Sequence, residues 1–534
     1  MSCFLRSLLV VLACLAPPLA AAAPPNVLLI LADDLGFSDL GCYGGEIPTP
    51  HLDGLARDGL RYTTCYTSAR CCPSRASLIT GLHPHQAGIG SFATAKPERG
   101  KSAAYTGHLL PDTLTLPEAL KAGGYSTWMV GKWHMGHPGP IARGFDQFYG
   151  IKNPLSHSES QWEPQAYARL PEGTTPEITR PEGTFFATDV FTDYALEFLK
   201  QAREQKDKPW FLYLAHSAPH FPLMAPAEDI AKYRGKYKGG WDKLREERHA
   251  KQLRLGLLDK AWSLTPRAPD VKAWDSLTAD EQDRFDNLMA IYAACVDRMD
   301  QAVGKLVANL KSRGELDNTL ILFMSDNGGN AEAGINGRST GPGEPGSAES
   351  DVFCGESWAN LQNTPFRLYK HFNHEGGISS PLIAHWPAGI PAKGEFRQQP
   401  GHLIDIMATC VAVSGAKYPT EFKGQPILPM EGKSLLPAFA NKPIDRDAIF
   451  WEHEGNAAVR AGDMKLVRKG RKGEWELYDL KTDRTELHDL ANQKPEVAKQ
   501  LAAKWDAWAT RAHVLPYPNQ EASRKSTKAP AAGE

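Results

Sequence analysis

Short apolar runs, each tied closely to polar or glycine-rich residues, recur along this chain. Val27-Leu28-Leu29-Ile30-Leu31 leads into Asp33-Asp34, and Thr127-Trp128-Met129-Val130 leads into Gly131-Lys132-Trp133-His134. Leu320-Ile321-Leu322-Phe323-Met324 leads into Ser325-Asp326-Asn327-Gly328-Gly329. Phe211-Leu212-Tyr213-Leu214 precedes His216 and His220, while Pro381-Leu382-Ile383-Ala384 follows Lys370 and His374 at a short distance. Uninterrupted runs of this length suit parallel strands buried on both faces. Open α/β sheets bind ligands beyond the carboxyl ends of such strands, so the polar clusters are expected to converge on one rim.

Helical patterns lie between the runs. The clearest has Phe285, Leu288, Tyr292, Val296, Met299, Val303 and Leu306 at three-or-four-residue spacing ahead of the run at Leu320, half of a βαβ unit. Residues 232–268 are charged and poor in apolar periodicity, which reads as a surface insertion near the site and a candidate lid. After about Pro437 the pattern changes to short runs such as Ala448-Ile449-Phe450-Trp451, Lys465-Leu466-Val467 and Trp475-Glu476-Leu477-Tyr478, a small antiparallel sheet, followed by a helix from Pro495 to His513. The expected fold is therefore α/β: a large, mostly parallel sheet flanked by helices over residues 24–437, and a smaller antiparallel sheet plus helix over 438–515. The polar remainder, 516–534, is expected to be disordered.

The N-terminus changes the picture of where the chain works. An apolar run from Ser7 to Ala16 precedes Pro17-Pro18-Leu19-Ala20-Ala21-Ala22-Ala23, a signal peptide over residues 1–23 with small-residue cleavage options. A membrane anchor needs roughly 20 unbroken apolar residues, and two prolines break this run. Val11-Leu12-Ala13-Cys14 faintly resembles a lipobox, so lipid anchoring at Cys14 is the alternative. No Asn-x-Ser/Thr sequon occurs, which favours a bacterial periplasm or exterior over a glycosylated secretory protein. Of nine cysteines, Cys3 and Cys14 fall in the leader, leaving an odd seven in the mature chain.

Composition adds little beyond exclusion. Hydrophobic residues are 42% and charged residues 23%, as in ordinary globular chains. Lys+Arg of 60 against Asp+Glu of 62 gives a net charge of -2, so neither nucleic acid nor an anionic membrane has an electrostatic footprint here. Anion recognition must be local.

The candidate chemistry sits in Cys71-Cys72-Pro73-Ser74-Arg75-Ala76-Ser77-Leu78-Ile79-Thr80-Gly81. Pro73 suits a first helical turn, and Cys71 just ahead of it faces that helix's exposed amides and positive end. For an isolated cysteine a disulfide or buried thiol is the commoner reading. Asp33, Asp34, Asp326 and Asn327 are hard oxygen donors at two strand ends, a set for Ca2+, with Mg2+ the alternative; for either pair alone a turn or helix cap is the commoner reading.

Cys71-Cys72-Pro73-Ser74-Arg75 followed by Ala76-Ser77-Leu78-Ile79-Thr80-Gly81 closely resembles the signature of type I sulfatases in the alkaline phosphatase superfamily. Asn26 to Asp34, Gly131-Lys132-Trp133-His134, Ala218-Pro219-His220, Ser325-Asp326-Asn327-Gly328 and Lys370 to Gly377 resemble further family motifs in family order. The segment Phe366-Arg367-Leu368-Tyr369-Lys370-His371-Phe372 with His374-Glu375-Gly376-Gly377 is most similar to the arylsulfatase branch.

The resemblance implies that a dedicated maturation enzyme oxidises Cys71 to formylglycine, whose hydrate shares the cation with Asp33, Asp34, Asp326 and Asn327. It implies attack on sulfur, S–O cleavage, retention of sulfate on residue 71, and its expulsion by the second hydroxyl. Arg75, Lys132 and Lys370 are implied in the anion pocket, with Lys132, His220 and Lys370 contacting substrate. His134 is implied as the base for sulfate elimination and His220 as the acid at the leaving oxygen, tasks that suit the intrinsic pKa of histidine. His137, His216, His374 and His453 are weaker candidates for the substrate side, where Trp162 and Trp241 are candidates for stacking on a ring.

The expected activity is hydrolysis of aryl or carbohydrate sulfate esters. A phosphodiester or phosphonate hydrolase of the same superfamily, and a sulfated-glycan-binding protein with unmodified Cys71, are the alternatives.

Overall fold

The structure is a computed structural model describing residues 23–93, 102–205 and 208–517. The expected signal peptide, apart from residue 23, and the expected tail beyond 517 lie outside the described residues. In chain order the strands are β1 (Asn26–Ala32), β2 (Leu60–Tyr66), β3 (Ser126–Gly131), β4 (Gln147–Ile151), β5 (Tyr167–Leu170), β6 (Trp210–Ala215) and β7 (Thr319–Ser325), then a hairpin of β8 (Arg338–Thr340) and β9 (Asp351–Phe353). They are followed by β10 (Ser379–His385), β11 (Glu395–Arg397), β12 (Gly401–His402), a hairpin of β13 (Glu421–Phe422) and β14 (Gln425–Pro426), and β15 (Ile449–His453), β16 (Asn456–Ala461), β17 (Met464–Arg468) and β18 (Glu476–Asp479).

Ten strands form the central sheet in the order β11-β2-β10-β7-β1-β6-β3-β4-β5, with β12 also paired to β2. The apolar runs read from the sequence become β10, β7, β1, β6 and β3, adjacent at its middle. Burial on both faces explains their unbroken hydrophobicity. Along β1, Leu28, Ile30 and Ala32 join the core on one side, while Val27, Leu29 and Leu31 join the core on the other. Helices Pro50–Arg57, Ala187–Glu204 and Ala279–Ser312 cover the first face. Helices Cys71–Thr80, Leu116–Ala122 and Ile404–Ser414 cover the second. The long helix Ala279–Ser312 carries the periodic stripe read above and starts with a capping box, Thr278 with Glu281.

The sheet is mixed. β1, β3, β6 and β7 pair in parallel, but β10 runs antiparallel to both β7 and β2, against the parallel direction expected of its run. This reversal accounts for its polar cluster lying before the strand: an antiparallel strand begins at the rim where its neighbours end.

Residues 232–268 are not a lid. Helix Gly240–Leu255 is packed into the body, where the Arg248 guanidinium binds Asp39 at 2.7 Å and Glu46 at 2.7 Å. Trp241 is 1% exposed and meets Trp274, Phe285 and Trp358 edge-on at 4.8, 4.9 and 5.3 Å, so it is unavailable for stacking on a substrate. Its segment looked like surface because buried arginines and single aromatics, not an aliphatic stripe, make the contact. Trp162 lies against Phe186 at 4.7 Å and borders a cavity of about 560 Å³ with Phe185, Ala225 and Pro345.

β15 to β18 form an antiparallel meander. Helix Pro495–Arg511 packs Leu501, Trp505 and Trp508 against Ala457, Val459, Leu466 and Leu477. β16, rich in alanine, is the strand of this sheet that the hydrophobic pattern did not reveal. Among the described residues no helix is long and apolar enough to cross a membrane.

Candidate active site

Each polar cluster picked out in the sequence sends at least one side chain to the same rim. Ala32 and Ser325 are register partners at the ends of β1 and β7, which brings Asp33 beside Asp326. The ends of β3 and β6 align through Gly131 and Ala215, ahead of Lys132 and His216. Two glycines are obligatory: a Cβ on Gly131 would sit 1.9 Å from the Ala215 carbonyl oxygen, and one on Gly328 would sit 2.0 Å from that of Gly376. Asp34 (φ 65) and His134 (φ 50) occupy left-handed backbone, a strain that rigid surroundings must hold and that concentrates at functional sites.

Asp33, Asp34, Asp326 and Asn327 are all fully buried. Lys132 ion-pairs with Asp33, and Lys370 Nζ lies 2.8 Å from the Asp34 carboxylate. Arg75 donates to Asp326 from Nε at 3.0 Å and Nη2 at 2.8 Å, and to the Lys132 carbonyl at 2.8 Å. Its donors are thus committed to organising the acids. Asn330, which the sequence reading missed, donates to Asp34 at 2.7 Å, as does Asn327.

Despite these cations, Asp33 Oδ1 and Asn327 Oδ1 have no hydrogen-bond partner. Orphaned buried oxygens normally mark an absent ligand. An all-oxygen donor set with two open acceptors fits a hard divalent cation such as Ca2+ or Mg2+. The charge pattern agrees. Burial and the Asp33 charge, opposed by Arg75, push Asp326 well above the carboxylate range. Burial opposes ionisation of Asp33 too, but Lys132, His220 and Arg75 overcome it and hold that carboxyl below the range.

Cys71 opens helix Cys71–Thr80 and is 1% exposed. Its sulfur, that of Cys72 and a ring nitrogen of His134 all lie within 4.8 Å of one another. Burial raises the Cys71 thiol, but Cys72, His134 and Lys132 prevail and hold it well below the ordinary thiol value. The His134 nitrogens have no hydrogen-bond partner, and burial lowers its pKa to about 4, leaving a neutral ring beside residue 71. The seven cysteines of the described residues are all buried and unpaired.

His220 Nδ1 contacts the Phe221 carbonyl at 2.5 Å and must donate to it. Its Nε2 is thereby turned to Asp34 at 3.5 Å and Lys370 at 3.4 Å. Burial, partly opposed by Asp34 and Asp33, lowers this histidine to about 3. Between the two histidines stands His157, 6.4 Å from the His134 ring and 5.9 Å from that of His220; a lone histidine in a serine-rich loop gave no motif by which to find it.

The weaker candidates scatter. The ring nitrogens of His216 are buried without hydrogen bonds, and the ring faces Phe191 at 6.5 Å. His374 is buried against Glu476 at 3.3 Å. His137 is exposed beside His108. His453 is buried 5.8 Å from the ring of His371.

The sulfatase family model matches residues 25–416, and that described as N-sulphoglucosamine sulphohydrolase, C-terminal, matches residues 366–509. A sulfatase of Schizosaccharomyces pombe is 34% identical over 94% of this chain and 96% of its own. The arylsulfatase of Klebsiella aerogenes is 32% identical over 77% of this chain and 91% of its own. Among solved structures, Ps i-CgsB in complex with k-i-k-neocarrahexaose is similar with a TM-score of 0.66 and 27% identity, covering 91% of this chain and 93% of that one. On the extent of these matches, the chain belongs to the sulfatase family, the type I sulfatases of the alkaline phosphatase superfamily, and is a sulfuric ester hydrolase.

Proposed function

We propose that this enzyme cleaves the S–O bond of aryl or carbohydrate sulfate esters, with Cys71 matured to formylglycine and Ca2+ held by Asp33, Asp34, Asp326 and Asn327. The observation that carries the reading is the pair of open acceptors, Asp33 Oδ1 and Asn327 Oδ1, on the rim that bears Cys71. Related proteins support the substrate range: the Klebsiella aerogenes arylsulfatase and the N-acetylgalactosamine-6-sulfatase of Mus musculus, 29% identical over 87% of this chain and 76% of its own.

When bound, the cation supplies Lewis acidity to the sulfate and to the hydrated aldehyde of residue 71. The rest of the work falls to side chains. Lys132 and Lys370 hold ammonium groups over the acid cluster, where they counter charge gathering on the sulfate oxygens. Arg75 acts as a positioning residue, fixing Asp326 by charged hydrogen bonds and Asp33 by an ion pair at 3.4 Å. His134, neutral and next to residue 71, is suited to take the proton lost when sulfate leaves. His220 is the candidate acid at the departing oxygen: its Nδ1 proton is held by the Phe221 carbonyl, so its Nε2, set beside Lys370 and Asp34, must first gain the proton that it would deliver.

The same reading includes export after loss of residues 1–23, a maturation enzyme as the obligatory partner, and a division into a catalytic region to about residue 437 and a C-terminal region to 515. It is tested by turnover of 4-nitrophenyl sulfate beside bis(4-nitrophenyl) phosphate with the matured enzyme. A kcat/KM higher for the sulfate supports it; preference for the phosphodiester overturns it.

A further inference from the structure

A second polar cluster flanks the acid rim, built from residues the catalytic reading leaves unused. Arg70 directly precedes Cys71, and His371 directly follows Lys370, so both chains that deliver catalytic groups also deliver a member of this cluster. Glu332 Oε1 lies 3.7 Å from Arg70, 3.5 Å from Lys370 and 3.4 Å from His371. Yet neither Glu332 oxygen has a hydrogen-bond partner, and both are buried. Arg70 Nε is likewise without a partner, as are both ring nitrogens of His453, a residue with 0% exposure. His453, His371 and Glu454 bring their polar atoms within 4.8 Å of one another.

The backbone is strained to achieve this. His371 (φ 84) and Glu454 (φ 51) both lie in the left-handed region, which bulky side chains avoid unless the surroundings enforce it. The His371 amide is held by the Ala69 carbonyl at 2.9 Å and its carbonyl by Asn456 at 3.0 Å.

Two ligand chemistries compete for such a cluster. A divalent cation would use the two histidines and Glu454, but the Arg70 guanidinium contacts the His371 ring, and Lys370 stands by Glu332. Fixed positive charge at contact distance opposes a cation. A ligand that both donates and accepts satisfies open carboxylate oxygens, an open guanidinium N–H and open imidazole nitrogens together, and hydroxyl groups do this. An aromatic leaving group would leave them orphaned, a penalty that buried polar groups make severe. The Arg70 guanidinium also stacks on Phe92 at 4.5 Å, whose ring lies 5.9 Å from His134, offering an apolar surface beside the polar set.

We propose that Arg70, Glu332, His371, His453 and Glu454 form a leaving-group subsite that grips neighbouring hydroxyls of a carbohydrate sulfate ester, with Phe92 against the sugar ring. This rests on the sulfatase reading above and narrows it from aryl to sugar esters. Lys370 bridges the two halves, touching Asp34 on the sulfate side and Glu332 on the sugar side.

The test compares the matured wild-type enzyme with Glu332→Gln and His453→Asn, each with its aldehyde content measured. The probes are 4-nitrophenyl sulfate and a set of O-sulfated monosaccharides: galactose 4- and 6-sulfate, and the 6-sulfates of N-acetylgalactosamine and N-acetylglucosamine. The expected result is that at least one sugar sulfate exceeds the aryl ester in kcat/KM, and that either variant lowers this ratio by roughly tenfold to a hundredfold. A merely structural role would lower both substrates together. Equal losses on both, or turnover of the aryl ester with no sugar sulfate accepted by wild type, would overturn the subsite and leave the sulfatase reading standing. Failure of wild type on every sulfate would instead strike the sulfatase reading itself. Should Glu332→Gln fail to fold, His453→Asn alone carries the ratio.

Discussion

Two buried charge clusters in this molecule invite comparison. One joins the C-terminal meander to the main sheet: Lys465 Nζ lies 2.8 Å from both Glu375 and Glu486, and Arg484 Nε lies 2.8 Å from Glu375. Ser379 and Tyr66 add hydrogen bonds to Glu375 at 3.1 and 3.2 Å, and Arg484 also donates to the Thr63 carbonyl at 2.6 Å. The other is the acid rim, where three cations meet three aspartates and oxygen acceptors still stand open. Both are almost wholly removed from water. In both, every carboxylate has a cation of the protein beside it; the rim differs in leaving Asp33 Oδ1 and Asn327 Oδ1 without a hydrogen-bond partner at the ends of the strands, so the first cluster reads as glue and the second as awaiting something from outside.

The strongest way to break the comparison is at residue 71. Cys71→Ala is expected to lower kcat by on the order of 10⁵-fold or more while leaving the circular dichroism spectrum and melting curve near wild type. Unfolding of that variant would make Cys71 a core residue and the rim a second piece of glue. Next, Asp326→Ala is expected to lose about 10³-fold or more in kcat and to reduce the bound Ca2+ measured by elemental analysis, because it removes one donor and the partner of Arg75.

Lys465→Met probes the opposite cluster, where breaking a buried pair costs about 3–5 kcal/mol. A lower urea midpoint with kcat per folded molecule retained is expected there. Trp241→Ala is expected to behave alike, losing about 3–5 kcal/mol of stability with KM unaltered; a raised KM would restore Trp241 to the substrate side.

The smallest effect concerns acid. Burial opposes ionisation of Glu375, but Lys465 and Arg484 outweigh it and depress its pKa from 4.5 to about 2. A depressed folded-state pKa gives stability that is present above 4.5 and lost as pH falls towards 2. The urea midpoint of wild type is therefore expected to fall across that window, and Lys465→Met to fall less.

The contrast also explains what was legible beforehand. The middle of the sheet was readable because strands buried on both faces must be continuously apolar, and these are the strands whose ends carry Asp33, Lys132, His220 and Asp326. Edge strands such as β5, Tyr-Ala-Arg-Leu, lack that demand and left little trace. The direction of β10 was hidden, since hydrophobicity does not encode it. Helix Gly240–Leu255 was misread because Arg248 is buried by ion pairing, and a charged residue in a charged segment looks solvated. Glu375 sat inside a motif resembling the arylsulfatase branch, yet its contacts are those of a fastener. Asn330, His157 and Glu332 reach the rim or its flank from loops, where only folding brings them near.

The claim on which the rest depends is that residue 71 is the matured nucleophile of the rim. It is tested most directly by the mass of the peptide spanning Cys71 and Arg75, from enzyme made with its maturation partner and left unalkylated. The account predicts a peptide lighter than the thiol form, by the exchange of a thiol for an aldehyde, that forms a hydrazone with an aldehyde trap. A thiol at residue 71 in fully active enzyme would contradict it.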